Sequence, residues 1–540
     1  MTASVLAIPI FRRFWVSTIL STFGAMIQAV GAAWMMASLT GDPQMVALVQ
    51  TFATLPVMIV SLPAGALADT YDRRRILLFA QTVMLIASAA LAAVALLGAA
   101  TPVALLVVTF VIGAMTALNG PSWQSSVSEI VPRSMIDEAV SMNSVGFNLS
   151  RCVGPAVGGL IVAAGGAATA FAINAVSYLP MIATLIGWRR TTAERPLPPE
   201  RMQQAILSGL RYALLTPELI AVVIRAGVFG LCGSGVWALM AVLARERLGT
   251  GAAGYGLLLA GFGGGAMLGA LFRSRLPLSR EQLARACTAL FGCAAIVAGL
   301  THSLIVATAA MVAAGCAWVV FLSSLSAAVQ ILAPRWVVGR AVALNQVVIF
   351  AGMAFGSLIW GIVAARIGIG FAFVASGVLM LVTLILAPFL PISADADADL
   401  TPTREHPIDD LEGSVRPDDG PIVMMIEYRV RPERFRAFVE AMEAVGRIRR
   451  RDGALRWALQ QDLTDPTRWV ERFHSATWLD HLRRQVRPTQ ADQAARDRLA
   501  ELHEPGQTIS RFIERRLSTE PIGLPARLEA ETRIDPTEPR

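Results

Sequence analysis

Apolar letters dominate the chain from residue 15 to residue 390 in stretches of 18–26 residues, broken by short polar segments, and beyond residue 390 no such stretch recurs. A helix needs ~20 predominantly apolar residues to cross the hydrocarbon core of a bilayer. On that measure spans are expected at 15–39, 45–68, 76–98, 102–123, 139–164 and 167–188, and again at 219–244, 255–272, 284–302, 304–325, 341–365 and 368–390. The break between the two sixes is rich in Arg and Pro and has no apolar run of its own. The expected fold class is therefore an all-α polytopic membrane protein with 12 transmembrane helices in two six-helix bundles, 1–190 and 218–391, joined by a cytoplasmic loop at 191–217.

The rest of the chain has a different rhythm. Residues 392–420, with an Asp-Ala-Asp-Ala-Asp run and several prolines, read as an acidic solvated linker. Residues 421–517 alternate as strand 423–430, helix 432–450, strands 454–463 and 468–474 across Thr464-Asp465-Pro466, helices 478–484 and 491–502, and strand 508–514. That βαββαβ order predicts a soluble α+β ferredoxin-like domain, followed by a disordered tail at 518–540.

Composition supports this division. Hydrophobic residues make up 55% and charged residues 16%, against about a quarter charged in soluble proteins. Up to Pro391 there are 22 Arg and 11 acidic residues, net +11; the remainder has 24 and 28, net −4, and the two add to the formal +7. The excess arginines lie in short loops between apolar spans and form no stripe with interleaved aromatics, which argues against nucleic acid as a partner. The basic residues are all arginine, a usage that hints at a GC-rich bacterial genome. With the N-terminus inside, 17 of the 22 arginines fall in inner loops and only Arg245, Arg247 and Arg366 in outer ones, so both termini are expected in the cytoplasm of a bacterial cell whose inner membrane the chain spans. The first apolar run is too long for a signal-peptide core and is expected to stay as the first span. Cys152, Cys232, Cys287, Cys293 and Cys316 lie in apolar stretches without a CxxC pair or a histidine cluster, so they read as packing residues; neither a metal nor a cofactor is expected.

The two halves repeat. At an offset of 202, Pro132-Arg133 falls on Pro334-Arg335, Asn143 on Asn345, Gly154 on Gly356, Gly159 on Gly361, Gly166 on Gly368 and Phe171 on Phe373. Chance apolar similarity would match alanines and valines, but not this set at one offset, so a duplication is inferred.

The loop after the second span, Gly65-Ala-Leu-Ala-Asp69-Thr-Tyr-Asp72-Arg73-Arg74-Arg75, resembles the loop signature of the major facilitator superfamily. In that family the loop latches the two bundles in the outward-facing state, and the resemblance carries this role to Gly65, Asp69, Arg73 and Arg74. In the fifth span Gly154-Pro155-Ala-Val-Gly158-Gly159, preceded by Gly146, is similar to the motif of the superfamily's exporters, where small residues let one helix bend and slide on another. One departure bears on energy coupling: many proton-coupled exporters place an arginine four residues before a glycine of the fourth span, and Thr109 stands there before Gly113. Proton antiport is thus implied by the family and not by these residues.

Polar letters in otherwise apolar spans are the candidates for lining a substrate cavity: Gln28, Asn119, Ser122, Gln124, Asn148, Asn345 and Gln346, with Arg151 and Arg225 as the ionisable residues within spans. Their neutral character suits a small amphipathic cargo. Asn143 and Asn345, being repeat-related, are read first as structural pins.

In the tail, Arg451-Asp452-Gly453-Ala454, Glu471-Arg-Phe473 and Trp478-Leu-Asp-His481-Leu-Arg483 resemble the antibiotic-biosynthesis-monooxygenase-like domains attached to the transmembrane secretion effector branch of facilitators, which includes the enterobactin exporter relatives. Stand-alone relatives oxidise substrates, which would make Trp457, Trp469, His474 and His481 the catalytic candidates; the plainer expectation is a dimerisation or regulatory module with the tryptophans in its core and the histidines at its surface. The resemblance as a whole implies an exporter, not an enzyme, that moves a siderophore or drug-like molecule by alternating access, with lipid, substrate and protons as partners and a homodimer formed through the tail. The alternatives are a membrane-tethered oxygenase or ligand sensor acting through the tail, and lipid flipping.

Overall fold

The computed structural model describes residues 5–132, 135–188, 202–273, 278–334, 336–392, 400, 403 and 415–514. Within the first half, α1 (Pro9–Thr40), α2 (Pro43–Thr70), α3 (Arg73–Leu96), α4 (Pro102–Ile130), α5 (Ile136–Ser177) and α6 (Leu179–Gly187) follow one another through tight turns. Local chemistry sets their starts. Asp42 accepts from the Gln44 amide at 2.9 Å with Pro43 in the first turn, Asp72 accepts from the Arg74 amide at 2.9 Å, and Thr101 accepts from the Ala104 amide at 3.2 Å ahead of α4. Each side chain satisfies an amide that has no carbonyl partner within its helix.

The second half holds α7 (Met202–Leu214), α8 (Pro217–Val242), α9 (Ala252–Phe272), α10 (Arg280–Leu300), α11 (Leu304–Leu332), α12 (Val338–Ile367) and α13 (Ile369–Val382). Helix α7 lies where the polar 191–217 segment was expected to be a loop, and residues 189–201 are outside the described residues.

Among the described residues eleven helices are long and apolar enough to cross a membrane, one fewer than the twelve expected. The difference lies in the stretch 153–187, which counts as one element but contains Gly166 at φ 76° and ψ 173°. A left-handed φ costs glycine nothing and would strain any residue with a Cβ. Two helices therefore stand end to end there, and the expected spans 139–164 and 167–188 fall on either side of the break.

The described residues divide into two compact bodies. One comprises Met1–Gln204, Glu218–Val329 and Val342–Ala394; the other comprises Ala205–Pro217, Gln330–Ala341 and Asp395–Arg540. The second body is built on a four-stranded antiparallel sheet of β1 (Ile422–Arg429), β2 (Leu455–Gln461), β3 (Arg468–Ser475) and β4 (Thr508–Ile513), in the order β2-β3-β1-β4, with helices α14 (Phe435–Arg451), α15 (Trp478–Gln485) and α16 (Gln493–Ala500). Ile422, Met424, Ile426 and Tyr428 alternate onto the buried face of β1, and Phe438, Ala441, Met442 and Val445 of α14 join them in one core at the 3–4-residue spacing of a helix stripe. The expected order of strands and helices is met element by element.

Candidate functional site

The glycine motif of α5 sits where helices come closest. A Cβ on Gly154 would meet Met26 Cβ at 2.7 Å, and one on Gly158 would meet Ile27 Cα at 3.0 Å, so both residues set the approach of α5 to α1. Pro155 is buried between them. Gly159 faces the other half of the chain: a Cβ there would run into the backbone of Gly256 on α9. The repeat carries through. Gly356, the counterpart of Gly154, packs on Leu231 and Ser234 of α8, and Gly361, the counterpart of Gly159, packs across the halves on Ala47 and Gln44 of α2.

Two helix pairs therefore join the halves, α5 with α9 and α12 with α2. On the second pair Thr51 Oγ1 also donates to the Ala354 carbonyl at 3.2 Å, and beside the first the Trp34 ring stacks on Tyr255 at 6.0 Å. Among the described residues these contacts gather toward one end, next to the α1–α2 turn, the start of α9 and the end of α12.

Gln346 lies on the other half-length of α12 and is exposed. With 3.6 residues per turn it is about half a turn around the helix from Phe355 and Ile359, the outward apolar positions. It thus lies on the opposite face of α12 from those apolar positions. Asn345 beside it is 1% exposed, and its Oδ1 has no hydrogen-bond partner among the described residues. Asn143, its repeat counterpart, has an unpartnered buried Oδ1 as well.

Gln28 takes part in a polar cluster of the first half. It is buried, and its side-chain oxygen accepts from Ser88 Oγ at 2.8 Å and from Asn174 Nδ2. Asn174 Nδ2 also lies 3.1 Å from both Ser88 Oγ and Tyr178 Oη. A buried amide without partners costs several kcal/mol, and this cluster meets that cost for the Gln28 side-chain oxygen. Ser88, Asn174 and Tyr178 were not singled out in the sequence; an asparagine in an otherwise apolar span was the available signal. Asn119 is half-buried and accepts from Gln81 Nε2 at 3.2 Å, and Ser122 is buried with its hydroxyl on the Leu118 carbonyl at 3.3 Å.

In the loop after α2, Arg74 donates from Nε to the Leu185 carbonyl at 2.8 Å and from its terminal nitrogen to the Ile186 carbonyl at 2.7 Å. A cation on the last carbonyls of a helix satisfies orphan acceptors and complements the helix dipole, so Arg74 ties the loop to α6 of its own bundle. Arg247 does the same on the second half, donating to Thr301 and Leu300 carbonyls at 3.1 and 3.0 Å. Arg73 is buried, and Gly65 lies within α2. The side chains of Asp69, Gln124, Asn148 and Arg151 are outside the described residues. Arg225, an ionisable residue within a span, is paired: its guanidinium meets Glu281 at 2.6 Å and the Leu390 carbonyl at 3.3 Å.

The tail's candidates divide. Trp457 and Trp469 pack against the core as expected, and Trp457 Nε1 donates at 2.8 Å to Glu471, a fully buried carboxylate that also takes Arg449 at 3.1 Å and the Tyr428 hydroxyl at 3.0 Å. The histidines are not at the surface. His481 is fully buried, stacked on Trp478 at 5.1 Å and 3.0 Å from the Gln485 amide. His474 is buried on β3, and burial, with the Arg472 charge beside it, lowers its pKa from the ordinary imidazole value. Both rings serve packing because β3 and α15 present them to the interior.

A family model described as "transmembrane secretion effector" matches residues 2–519. The chain belongs to that family. It is thus a transporter-type member of the major facilitator superfamily, and its similar curated relatives are transporters rather than enzymes. The staphyloferrin A transporter of Staphylococcus aureus is 27% identical over 168 residues, which cover 31% of this chain and 42% of that protein. The multidrug efflux pump Tap of Mycolicibacterium fortuitum is 25% identical over 69% of this chain and 93% of its own length. The enterobactin exporter EntS of Shigella boydii is 25% identical over 70% of this chain and 92% of its own length. Among solved structures, the inward-facing, unoccupied bacterial homolog of the human lysosomal transporter Spinster aligns with a TM-score of 0.54 at 16% identity, covering 72% of this chain and 96% of that one. The POT family transporter PepTSo aligns at 0.57 and 13%, covering 71% and 97%. At these identities the likeness is one of fold.

Proposed function

We propose that this transmembrane secretion effector exports a small amphipathic molecule, siderophore-like or drug-like, from the cytoplasm by alternating access, driven by proton influx. The observation that carries the reading is the pair of repeat-related crossings, Gly159 on Gly256 and Gly361 on Ala47, which close the two halves at one end. With twelve crossings, the break at Gly166 supplying the twelfth, and with both termini in the cytoplasm as the arginines favour, that end is the outer one. The chain is then closed outside and accessible from inside, with Gln346 on the accessible side. Gly65, Asp69 and Arg73 act as the inner latch in the opposite state, while Arg74 stays on α6. Asn119, Gln124, Asn148, Arg151, Asn345 and Gln346 are the candidates for cargo contact. The tail is a ferredoxin-like module, a reading supported by its strand order, and pairs copies of the chain. Oxygenase activity centred on the tail is the less favoured alternative, since the curated relatives transport.

The test is accumulation of fluorescent drugs and a siderophore precursor in efflux-deficient cells. The full chain is expected to lower accumulation, and Asp69→Asn or a protonophore to abolish the effect. Unchanged accumulation across the panel would contradict export of this cargo class. Loss with Asp69→Asn but not with the protonophore would contradict proton coupling alone.

A further inference from the structure

Two arginines of the tail lie against two aromatic residues from cytoplasmic segments of the second half. The guanidinium of Arg451, at the end of α14, sits 5.3 Å from the Tyr212 ring centre on α7, and that of Arg487, after α15, sits 4.3 Å from the Trp336 ring centre in the α11–α12 turn. The two rings meet edge to face at 5.6 Å and 88°. The result is a cation–ring–ring–cation stack, an arrangement in which each contact draws on the ring quadrupole.

Its outer ends are fixed within the tail. Arg451 donates to Asp492 at 2.7 Å and to Asp452 at 3.0 Å, and Arg487 donates to the Asp452 carbonyl at 2.6 Å. Its inner members are fixed as well: the Tyr212 hydroxyl reaches the Leu332 carbonyl at 3.4 Å, and Arg340 donates to Ser208 at 2.8 Å. Burial pushes the Tyr212 phenol up to about 12, with Arg451 opposing, so the ring stays neutral under the cation. Burial by itself would lower the Arg451 pKa, but Asp452 and Asp492 outweigh it and hold the charge in place.

Two further observations point the same way. Gly453 has φ +116°, and a Cβ there would lie 2.7 Å from the Arg487 guanidinium, so the Arg451-Asp452-Gly453 motif is shaped to admit Arg487. At the repeat offset of 202, the first half has Ser134 where the second has Trp336, so only the second half offers the aromatic partner.

We propose that the tail is a clamp: Arg451 and Arg487 grip the Tyr212–Trp336 pair and lock α7 and the α11–α12 turn into one body with the sheet domain. Because α7 leads directly to α8 and the turn leads directly into α12, the clamp holds the entrances to two helices of one bundle.

Hydrogen–deuterium exchange on the full chain in lipid nanodiscs tests the clamp without any cargo. Arg487→Ala is expected to raise exchange about five- to tenfold at 202–214 and at 484–492, leaving β1 and β3 at wild-type protection. Trp336→Ala, which lies outside the tail fold, is expected to raise exchange at 484–492 by a similar factor. If Arg487→Ala alters 484–492 but leaves 202–214 unchanged, the clamp does not exist. Should Arg487→Ala expose the whole of 422–513, the tail has unfolded and Trp336→Ala decides; wild-type exchange at 484–492 in that variant overturns the proposal. A silent transport assay alongside an intact exchange response would count against the cargo reading and leave the clamp standing.

Discussion

The two halves of the helical body carry matching glycines at their joints, yet their interiors are packed with a different emphasis. In the first, polar side chains satisfy one another: Gln28, Ser88, Asn174 and Tyr178 form a closed cluster, and Gln81 reaches Asn119. In the second, backbone meets backbone and ring meets ring. Gly265 faces the Val312 carbonyl, Gly315 faces the Phe262 carbonyl, and Gly352 faces the Gly227 carbonyl, while Phe229, Phe291, Trp318 and Phe321 gather around one another with centroid separations from 3.9 to 5.9 Å. Small residues that allow close helix approach are a main device of packing in lipid, where burying apolar surface gains little. The comparison teaches that the glycines of the joints, Gly159 and Gly361, are matched in both halves while the interiors differ: hydrogen-bonded polar side chains in the first, close backbone and ring contacts in the second.

The largest effect expected from breaking this contrast is in the second half. Gly315→Val or Gly265→Val would push a branched side chain into a carbonyl of the facing helix. Overpacking of this kind costs about 1–3 kcal/mol and occasionally more, and fluorescence-detected size exclusion after heating should show loss of the folded protein. Gly120→Ala in α4, with nothing within 4 Å of its Cβ, should leave the same measurement unchanged. Next comes the polar cluster. Asn174→Leu removes the shared donor and leaves buried acceptors unpaired, for an expected loss of about 1–3 kcal/mol in the same assay. If Asn174→Leu is neutral, the first half does not depend on its hydrogen bonds.

A smaller effect is expected at Arg74, where Arg74→Ala uncovers two carbonyls at the end of α6 and should cost about 0.5–1.5 kcal/mol. The smallest lies in the tail and follows pH. Burial would raise the Asp492 carboxyl, but the hydrogen bond and charge of Arg451 outweigh it and set its pKa below the ordinary aspartate value. A group with a depressed folded pKa contributes stability above its unfolded pKa, and that contribution is lost as pH falls through the folded value. Protection of 484–492 should therefore be constant from pH 7 to about 5 and decline below about 4. Asp492→Asn should flatten that decline.

Much of this was legible in the sequence because membrane spans and the order of strands and helices are local signals. The strand expected at 423–430 is β1, and the repeat placed Gly154 and Gly159 opposite Gly356 and Gly361. What escaped reading depends on partners distant in sequence. That Ser88 and Asn174, 60 and 146 positions away, take up the Gln28 side-chain oxygen cannot be read from spacing. His474 and His481 looked like surface residues because polarity alone does not tell which face of β3 or α15 turns inward. That α10 brings Glu281 beside Arg225 is equally hidden from spacing. Helix α7 was hidden because its polar face resembles a loop when no packing partner is visible.

The proposed alternating access is tested most directly by locking the crossing between α2 and α12. In a chain whose five cysteines are replaced, Thr51→Cys and Ala354→Cys place thiols across the contact where Thr51 Oγ1 and the Ala354 carbonyl stand 3.2 Å apart. Cellular accumulation of the fluorescent panel is then followed before oxidation, after it, and after reduction. The account predicts that cross-linking stops export and that reduction restores it. Export at the uncross-linked rate through the oxidised protein would contradict the claim that these two halves must part at this end to release their cargo.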